Sequence, residues 1–81
     1  MKNQKMNDEE FLLFLNQLGK MIKIRREEAK LTQEQMSEGD EGIEYKYYQK
    51  IEAGKINITM ETVFKICRRF NISPSALFND K

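Results

Sequence analysis

Two short helix signals, separated by a turn between glycines, lie in residues 31–54, LTQEQMSEGDEGIEYKYYQKIEAG. Thr32 and Gln35 fit a capping box, in which the threonine hydroxyl accepts from the backbone of Gln35 and the glutamine side chain returns to Thr32. A helix therefore begins here and carries Met36 on its inner side. It ends within about two turns, at residues 39–42, because glycine and short acidic side chains favour non-helical backbone.

The sequence on either side of this turn predicts four further helices. One spans about residues 44–53 and is closed by Gly54, a natural C-terminal cap. Residues 8–29 carry apolar side chains at three-and-four spacing, which predicts a long first helix. Thr59 is a cap for the start of a fourth helix, and Asn71 is a typical residue for its end. Ser73-Pro74 is a typical start for a short fifth helix.

The apolar stripe of the first helix is wider than one core contact needs. Phe11, Phe14 and Leu15 lie near its start, while Met21 and Ile24 form a neighbouring strip with Phe14. A core role is the ordinary interpretation of such a stripe. Packing on the fourth and fifth helices, or across a dimer, is the alternative that the pattern leaves open.

Length and composition exclude several classes of function. The chain has 81 residues, enough for one domain and too few for a separate ligand-sensing core, so no small-molecule ligand is expected. It has no histidine and only Cys67, so zinc binding and histidine-based acid–base catalysis lack their residues. With no nucleophile motif or phosphate-cradling glycine loop, the sequence predicts neither an enzyme nor a bound cofactor or metal. The net charge of +1 does not by itself indicate nucleic-acid binding.

The expected organisation is one domain over residues 8–79, with the two-helix unit at about 32–53. Residues 1–7 and 80–81 are expected to be flexible ends. No apolar run approaches the roughly 18 residues of a membrane span, and the N-terminus lacks the apolar stretch of a signal peptide. We therefore expect a cytoplasmic protein without membrane contact.

Four sequence blocks, in this order, resemble the Cro and lambda-repressor type (XRE family) of helix-turn-helix domain. They are LTQEQM (31–36), IEAGK (51–55), ITMETV (58–63) and ISPSAL (72–77). The resemblance covers about residues 18–78 and implies an all-α, five-helix lambda-repressor-like DNA-binding domain, here with an extended first helix. It also implies that the third helix reads bases, that the second helix braces the third, and that the last helices build a dimer. In size and layout the chain is similar to restriction-modification controller proteins and phage Cro-like proteins.

The resemblance implies that base edges are contacted from the first turns of the predicted third helix, by Tyr45, Lys46 and Gln49. Lys46 can donate to guanine O6 and N7, and Gln49 can donate and accept at adenine. Tyr45 offers a hydroxyl, and its ring can contact a thymine methyl. An amphipathic helix with half-buried aromatic residues is the alternative interpretation of this segment.

A second group is better placed for phosphate, which fixes register without reading sequence. Its members are Tyr47, Lys50, Lys55 and Asn57. The resemblance adds Gln33, which matches the family's glutamine at the start of the second helix and is expected to hydrogen-bond a phosphate. Lys50 and Lys55 are equally well explained as solvated surface. Glu44 either caps the third helix or accepts from a cytosine amino group.

Structural roles follow from the same resemblance. Arg26 and Glu52 are expected to form an ion pair that ties the first helix to the third. Tyr48 takes an apolar core position, and Leu77 with Phe78 is expected at the dimer interface.

Two positions depart from the family pattern. Lys30 stands where the family has a glycine, and a left-handed backbone there costs about 1 kcal/mol. The turn before the third helix is one residue longer than usual, with Asp40 in place of an apolar anchor.

Two functions fit these expectations. The first is a transcriptional regulator that binds a palindromic operator in double-stranded DNA as a homodimer. Because it lacks a sensor domain, its own concentration would set its activity, through autoregulation. The alternative is an antitoxin-like interaction module that neutralises a toxin partner.

Overall fold

The computed structural model describes residues 8–78, and these fold into helices joined by short turns, with no strand among them. The elements are α1 (Asp8–Glu28), a 3₁₀ helix (Glu34–Ser37), α2 (Tyr45–Glu52), α3 (Met60–Phe70) and α4 (Pro74–Leu77). The all-α fold with an extended first helix is confirmed. The described part holds four α-helices rather than five, because the predicted second helix is the 3₁₀ turn. The flexible ends expected at 1–7 and 80–81, and residue 79, lie outside the described residues.

The 3₁₀ helix begins at the predicted capping box. Thr32 Oγ1 accepts from the Gln35 backbone N–H at 3.1 Å, and Gln35 Oε1 accepts from the Thr32 N–H at 2.8 Å. The helix stops after one turn because Glu38 is extended, with φ −84° and ψ 150°, and the Ser37 hydroxyl donates to the Glu34 carbonyl. A short polar side chain that bonds to nearby backbone in this way competes with a longer α-helix.

The long turn into α2 is held by contacts that the sequence pattern does not reveal. Arg69 of α3 donates to the Glu38 carbonyl. A Cβ at Gly42 would lie 2.2 Å from the Ser37 carbonyl oxygen, so only glycine fits where the chain folds back. Ile43 is 6% exposed and takes the place of the missing apolar anchor, while Asp40 stays in solvent.

The helices α1, α2 and α3 all end in the same hydrogen-bonded motif. Each is followed by a left-handed residue, with φ 62° at Lys30, 72° at Gly54 and 58° at Asn71. The next N–H in each case donates to a carbonyl five residues earlier, as in a Schellman motif. These bonds are Leu31 to Arg26, Lys55 to Lys50 and Ile72 to Cys67. Lys30 therefore adopts the left-handed backbone for which the family uses glycine.

The core receives side chains from every helix of the described chain. Its buried members are Leu18, Ile22, Met36, Ile43, Tyr48, Ile51, Val63, Ile66, Cys67, Phe70 and Leu77. Tyr48 is a core residue, as predicted, and Cys67 is buried in the same core. The dimer role expected of Leu77 is wrong, because this side chain is 0% exposed and has no surface to offer a partner. Phe78, at 46% exposure, remains a candidate for a dimer contact.

Helix α1 sets the position of α2 through a close backbone approach. A Cβ at Gly19 would lie 2.5 Å from the Glu52 carbonyl oxygen, so glycine alone permits this packing. Leu15, on the same side of α1, is 5% exposed, whereas Phe14, on a neighbouring side of the helix, is 52% exposed. The N-terminal stripe of α1 is therefore divided between the protein interior and its surface.

Candidate nucleic-acid interface

Helix α2 presents a continuous outer face to solvent. Lys46, Gln49, Lys50 and Ala53 are exposed, and with Lys55 they line one shallow depression. Their spacing of three, four and seven residues places them on one side of the helix. The depression contains three lysines and no acidic residue, so it suits a negatively charged partner.

The outer face is broader than the sequence analysis indicated. Lys50, expected only as a phosphate contact, lies beside the base candidates Lys46 and Gln49. Ala53 was not predicted to take part, although it lies seven residues after Lys46 and four after Gln49. That spacing was the available signal, and a small methyl side chain can pack against a thymine methyl.

The start of α2 is capped by its own sequence. The Glu44 carboxylate accepts from the Tyr47 backbone N–H at 2.7 Å. Of the two interpretations of Glu44, the structure shows the helix cap. A carboxylate at this end also complements the positive end of the helix dipole.

The base candidates Tyr45 and Gln49 are joined by a hydrogen bond. Gln49 Nε2 donates to the Tyr45 hydroxyl at 3.0 Å and lies 3.5 Å from Gln33 Oε1. The Tyr45 contact holds the Gln49 amide in one orientation. With the long contact to Gln33, both N–H groups of the Gln49 amide are engaged and Gln49 Oε1 is left to accept from adenine N6; donation to adenine N7 requires the 3.5 Å contact to Gln33 to open.

Gln33 is in turn fixed by Glu52. Gln33 Nε2 donates to Glu52 Oε1 at 2.9 Å. An amide nitrogen has two N–H groups, so one stays available for phosphate. The predicted phosphate ligand and the buried carboxylate therefore meet at one end of the outer face.

Glu52 is also the partner of Arg26, and the predicted ion pair is present. Arg26 Nε lies 2.6 Å and Nη2 3.2 Å from the two carboxylate oxygens, and the Tyr48 hydroxyl donates to the same group. Arg26 Nη1 also donates to the Leu31 carbonyl at 2.7 Å. These bonds join α1, the chain before the 3₁₀ helix, and α2.

The charges of this group follow from its contacts. Burial acts to raise the pKa of Glu52, but hydrogen bonds from Arg26, Tyr48 and Gln33 outweigh it and hold that pKa below its ordinary value. The hydrogen bond to Glu52 raises the pKa of Arg26. Burial, with the bond to Glu52, raises the pKa of Tyr48, so its hydroxyl stays protonated and donates. At neutral pH the cluster is an ion pair with two neutral donors.

Two predicted phosphate contacts stand apart from this face. Tyr47 is partly buried and packs against the core, on the edge of α2 away from Gln49. Asn57 is exposed in the loop that follows α2. The structure brings Gln33, Lys50 and Lys55 to the outer face of α2 but does not group Tyr47 or Asn57 with them.

Two other kinds of site are absent from residues 8–78. No group of three histidine, cysteine, aspartate or glutamate side chains there could hold a metal ion. None of the helices described is long and apolar enough to cross a membrane.

A short helix with a basic outer face, braced by a preceding helical turn and held by a buried ion pair, defines a helix-turn-helix DNA-binding protein. Comparison with protein families agrees. The family described as a helix-turn-helix domain matches residues 19–81, and the chain belongs to this family. No curated protein matches the chain.

Proposed function

We propose that this protein is a sequence-specific transcriptional regulator of the Cro and lambda-repressor (XRE) type, acting as a homodimer on a palindromic operator. The observation that carries the proposal is the division of α2 into two faces. Its inner face is fixed by the Glu52 cluster, and its outer face exposes Lys46 and Gln49. A recognition helix needs both, because base readout requires side chains that project from a rigid, well-oriented element.

The roles on DNA follow from chemistry and position. Lys46 donates to a guanine edge, while Gln49, oriented by Tyr45, reads adenine. Phosphate is contacted by Lys50, Lys55 and Gln33, which set the register. Two further phosphate contacts, Tyr47 and Asn57, lie apart from the outer face of α2. The net charge of +1 makes non-specific binding modest and quickly lost as salt rises.

The homodimer follows from the small size of the reading element. Helix α2 has eight residues, which is enough for only a few base pairs. Two copies related by a two-fold axis read two half-sites about 10 base pairs apart, and that symmetry makes the operator palindromic. The proposal includes control by protein concentration at its own promoter, as in a restriction-modification controller or a phage-type repressor.

Selection of bound sequences from a random double-stranded DNA pool tests this function directly. We expect the full-length chain to enrich an inverted repeat. The variant Lys46→Ala/Gln49→Ala should lose that enrichment. Lys20→Ala/Lys23→Ala is the matched control: it also removes exposed lysine, but from α1, and should keep the same repeat. Absence of any enriched sequence would overturn the proposal, and tight binding of a toxin-like protein to the α2 face would favour the antitoxin alternative.

A further inference from the structure

The turn between the 3₁₀ helix and α2 is exposed to solvent and has few bonds of its own. Residues 38–41 are all exposed, and Gly39 and Gly42 add backbone freedom. The Gly42 N–H closes the turn by donating to the Gly39 carbonyl at 3.1 Å. Ile43 then enters the core, and its N–H donates to the Met36 carbonyl at 2.9 Å. The path of residues 38–41 before this anchor therefore depends on contacts from another part of the protein.

The last turn of α3 supplies such contacts, through two adjacent arginines. Arg69 donates to the Glu38 carbonyl, and a Cβ at Gly39 would lie 4.0 Å from both of its terminal nitrogens. Arg68 lies 3.3 Å from the Glu41 carboxylate. Both arginines and Glu41 line one depression at the protein surface. The end of α3 thus lies along the exposed turn.

The contacts of the two arginines differ in what they hold. The side chains of Arg68 and Glu41 are 57% and 52% exposed, so water competes for this pair and it contributes little. Arg69 is partly buried, and its partner is a backbone carbonyl. A charged donor makes that bond roughly twice as strong as a neutral one, and a backbone acceptor fixes the path of the chain itself. Arg69 is therefore the stronger restraint on the turn.

Helix α2 is anchored at its other end by Glu52, its last residue, which is paired with Arg26. A rise of 1.5 Å per residue puts Lys46 about 9 Å and Gln49 about 4.5 Å from this anchor along the helix axis. A shift of the turn tilts α2 about Glu52, so Lys46 moves about twice as far as Gln49. Base readout requires side chains to be held within about 0.5 Å, so a small tilt is enough to impair it.

We propose that Arg69 is a positioning residue for base readout, which sets the tilt of α2 in the major groove by holding the Glu38 carbonyl. The inference rests on the proposed function and names a residue outside the outer face of α2 on which specificity depends. Because Arg69 acts through the turn, its loss relaxes base preference without removing a DNA contact. The base pairs read by Lys46 are affected more than those read by Gln49.

The two adjacent arginines provide matched variants. Arg69→Met removes the donor but keeps an aliphatic stem, and Arg68→Met removes the same charge one residue earlier. We expect Arg69→Met to reduce discrimination at the base pairs read by Lys46 at least about fivefold, the lower end of what one base contact contributes. Its affinity for scrambled DNA should fall no more than that of Arg68→Met, which should keep the wild-type discrimination. Arg69→Lys keeps the charge and one ammonium donor, so it should lie between the wild type and Arg69→Met.

Competition titrations with the whole chain measure this discrimination. The probe is the duplex that the wild type selects from random DNA, with single base-pair substitutions along each half-site. Lys46→Ala and Gln49→Ala identify the base pairs that each side chain reads. Circular dichroism checks that every variant is folded, and Arg69→Lys decides the question if Arg69→Met is not.

Amide hydrogen exchange tests the restraint itself, without DNA. The N–H groups of Gly42 and Ile43 are both hydrogen-bonded in the turn, so they exchange when it opens. They should exchange faster in Arg69→Met than in the wild type. Arg68→Met should exchange like the wild type at both positions.

The results separate this inference from the proposed function. A wild type that selects no sequence would overturn both together. A selective wild type whose Arg69 variants discriminate equally well, or whose turn exchanges no faster in Arg69→Met, would overturn the inference alone. Equal losses on preferred and scrambled DNA, with a lower salt slope, would make Arg69 a phosphate contact instead. The same loss of discrimination in Arg68→Met would assign the effect to charge rather than to the Glu38 bond, which also overturns the inference.

Discussion

Arg26 Nε lies 2.6 Å from the Glu52 carboxylate, with the two side chains only 10% and 5% exposed. The contact joins α1 to the last residue of α2. The other carboxylate oxygen accepts from Gln33, whose own oxygen faces Gln49. One ion pair thus holds the recognition helix and orients a phosphate candidate and a base candidate next to it.

Removing one partner of this pair should destabilise the fold severely. Arg26→Ala or Glu52→Ala leaves a buried charge without its counterpart, at a typical cost of about 3–5 kcal/mol. Replacing Arg26, Glu52 and Tyr48 together, as Arg26→Met/Glu52→Met/Tyr48→Phe, should recover much of that loss because no buried charge is then left unpaired, although the Leu31 carbonyl and the Gln33 amide each lose one partner. Urea unfolding of each variant measures the free energy.

The matched control for this prediction is an exposed ion pair in the same domain. Arg68 and Glu41 lie 3.3 Å apart with side chains 57% and 52% exposed. Glu41→Ala should leave the unfolding free energy nearly unchanged, since exposed pairs contribute little. Equal effects of Glu41→Ala and Glu52→Ala would show that burial of the Arg26 pair has no energetic consequence.

Stability should fall in acid through Glu52. The folded carboxyl has a pKa below the ordinary 4.5, so the unfolded chain takes up the proton first as pH decreases. The contribution of Glu52 is complete above about pH 4.5 and is lost as pH falls through the lower, folded pKa. The stability advantage of the wild type over Glu52→Gln should therefore be large near neutral pH and shrink in acid. Glu41→Gln is the control, and an advantage of Glu52 that does not vary with pH would contradict the prediction.

Glycine at position 30 should stabilise the protein. Lys30 has φ 62°, a left-handed backbone that costs a side-chain-bearing residue about 1–2 kcal/mol. Lys30→Gly removes this strain but adds freedom to the unfolded chain, so a net gain of up to about 1 kcal/mol is expected. Lys23→Gly, in the middle of α1, should instead cost about 1 kcal/mol. Thermal unfolding compares the two, and a lower melting temperature for Lys30→Gly would contradict this account.

The features that the sequence predicted correctly depend on residues close together in the chain or on a recognised pairing. The Thr32 and Gln35 capping box closes over three residues, and the Asn71 ending involves only its own helix and the next residue. Because these hydrogen bonds join residues that are close in the chain, they do not depend on how distant segments pack. The Arg26–Glu52 pair spans 26 residues and came from the family resemblance rather than from local pattern.

The features that were missed depend on contacts between distant segments. Helix two is a single 3₁₀ turn whose exit is held by Arg69, thirty-one residues away. Leu77 and Phe78 look alike as a terminal apolar pair, yet Leu77 turns into the core and Phe78 stays half-exposed. Local sequence cannot separate core from surface in a helix of only four residues.

Two classes of α2 variant should differ in what they do to DNA binding. Lys46→Ala and Gln49→Ala should each cost about 1–3 kcal/mol on the preferred sequence and relax the preference at one position, because each removes a base contact. Lys50→Ala and Lys55→Ala should weaken all sequences alike and lower the salt slope by about one unit, as expected for a lost phosphate contact.

Lys50→Ala is the most informative of the four variants. Lys50 lies on the same face as the base candidate Lys46, so its contact with DNA can be to a base or to phosphate. Titrations on preferred and scrambled DNA, at two salt concentrations, measure affinity, specificity and salt slope together. A loss confined to the preferred sequence would move Lys50 into the base-reading group and widen the site that α2 reads. Equal losses on both sequences would keep Lys50 on phosphate. If Lys46→Ala and Gln49→Ala also weaken both sequences equally, α2 does not read bases.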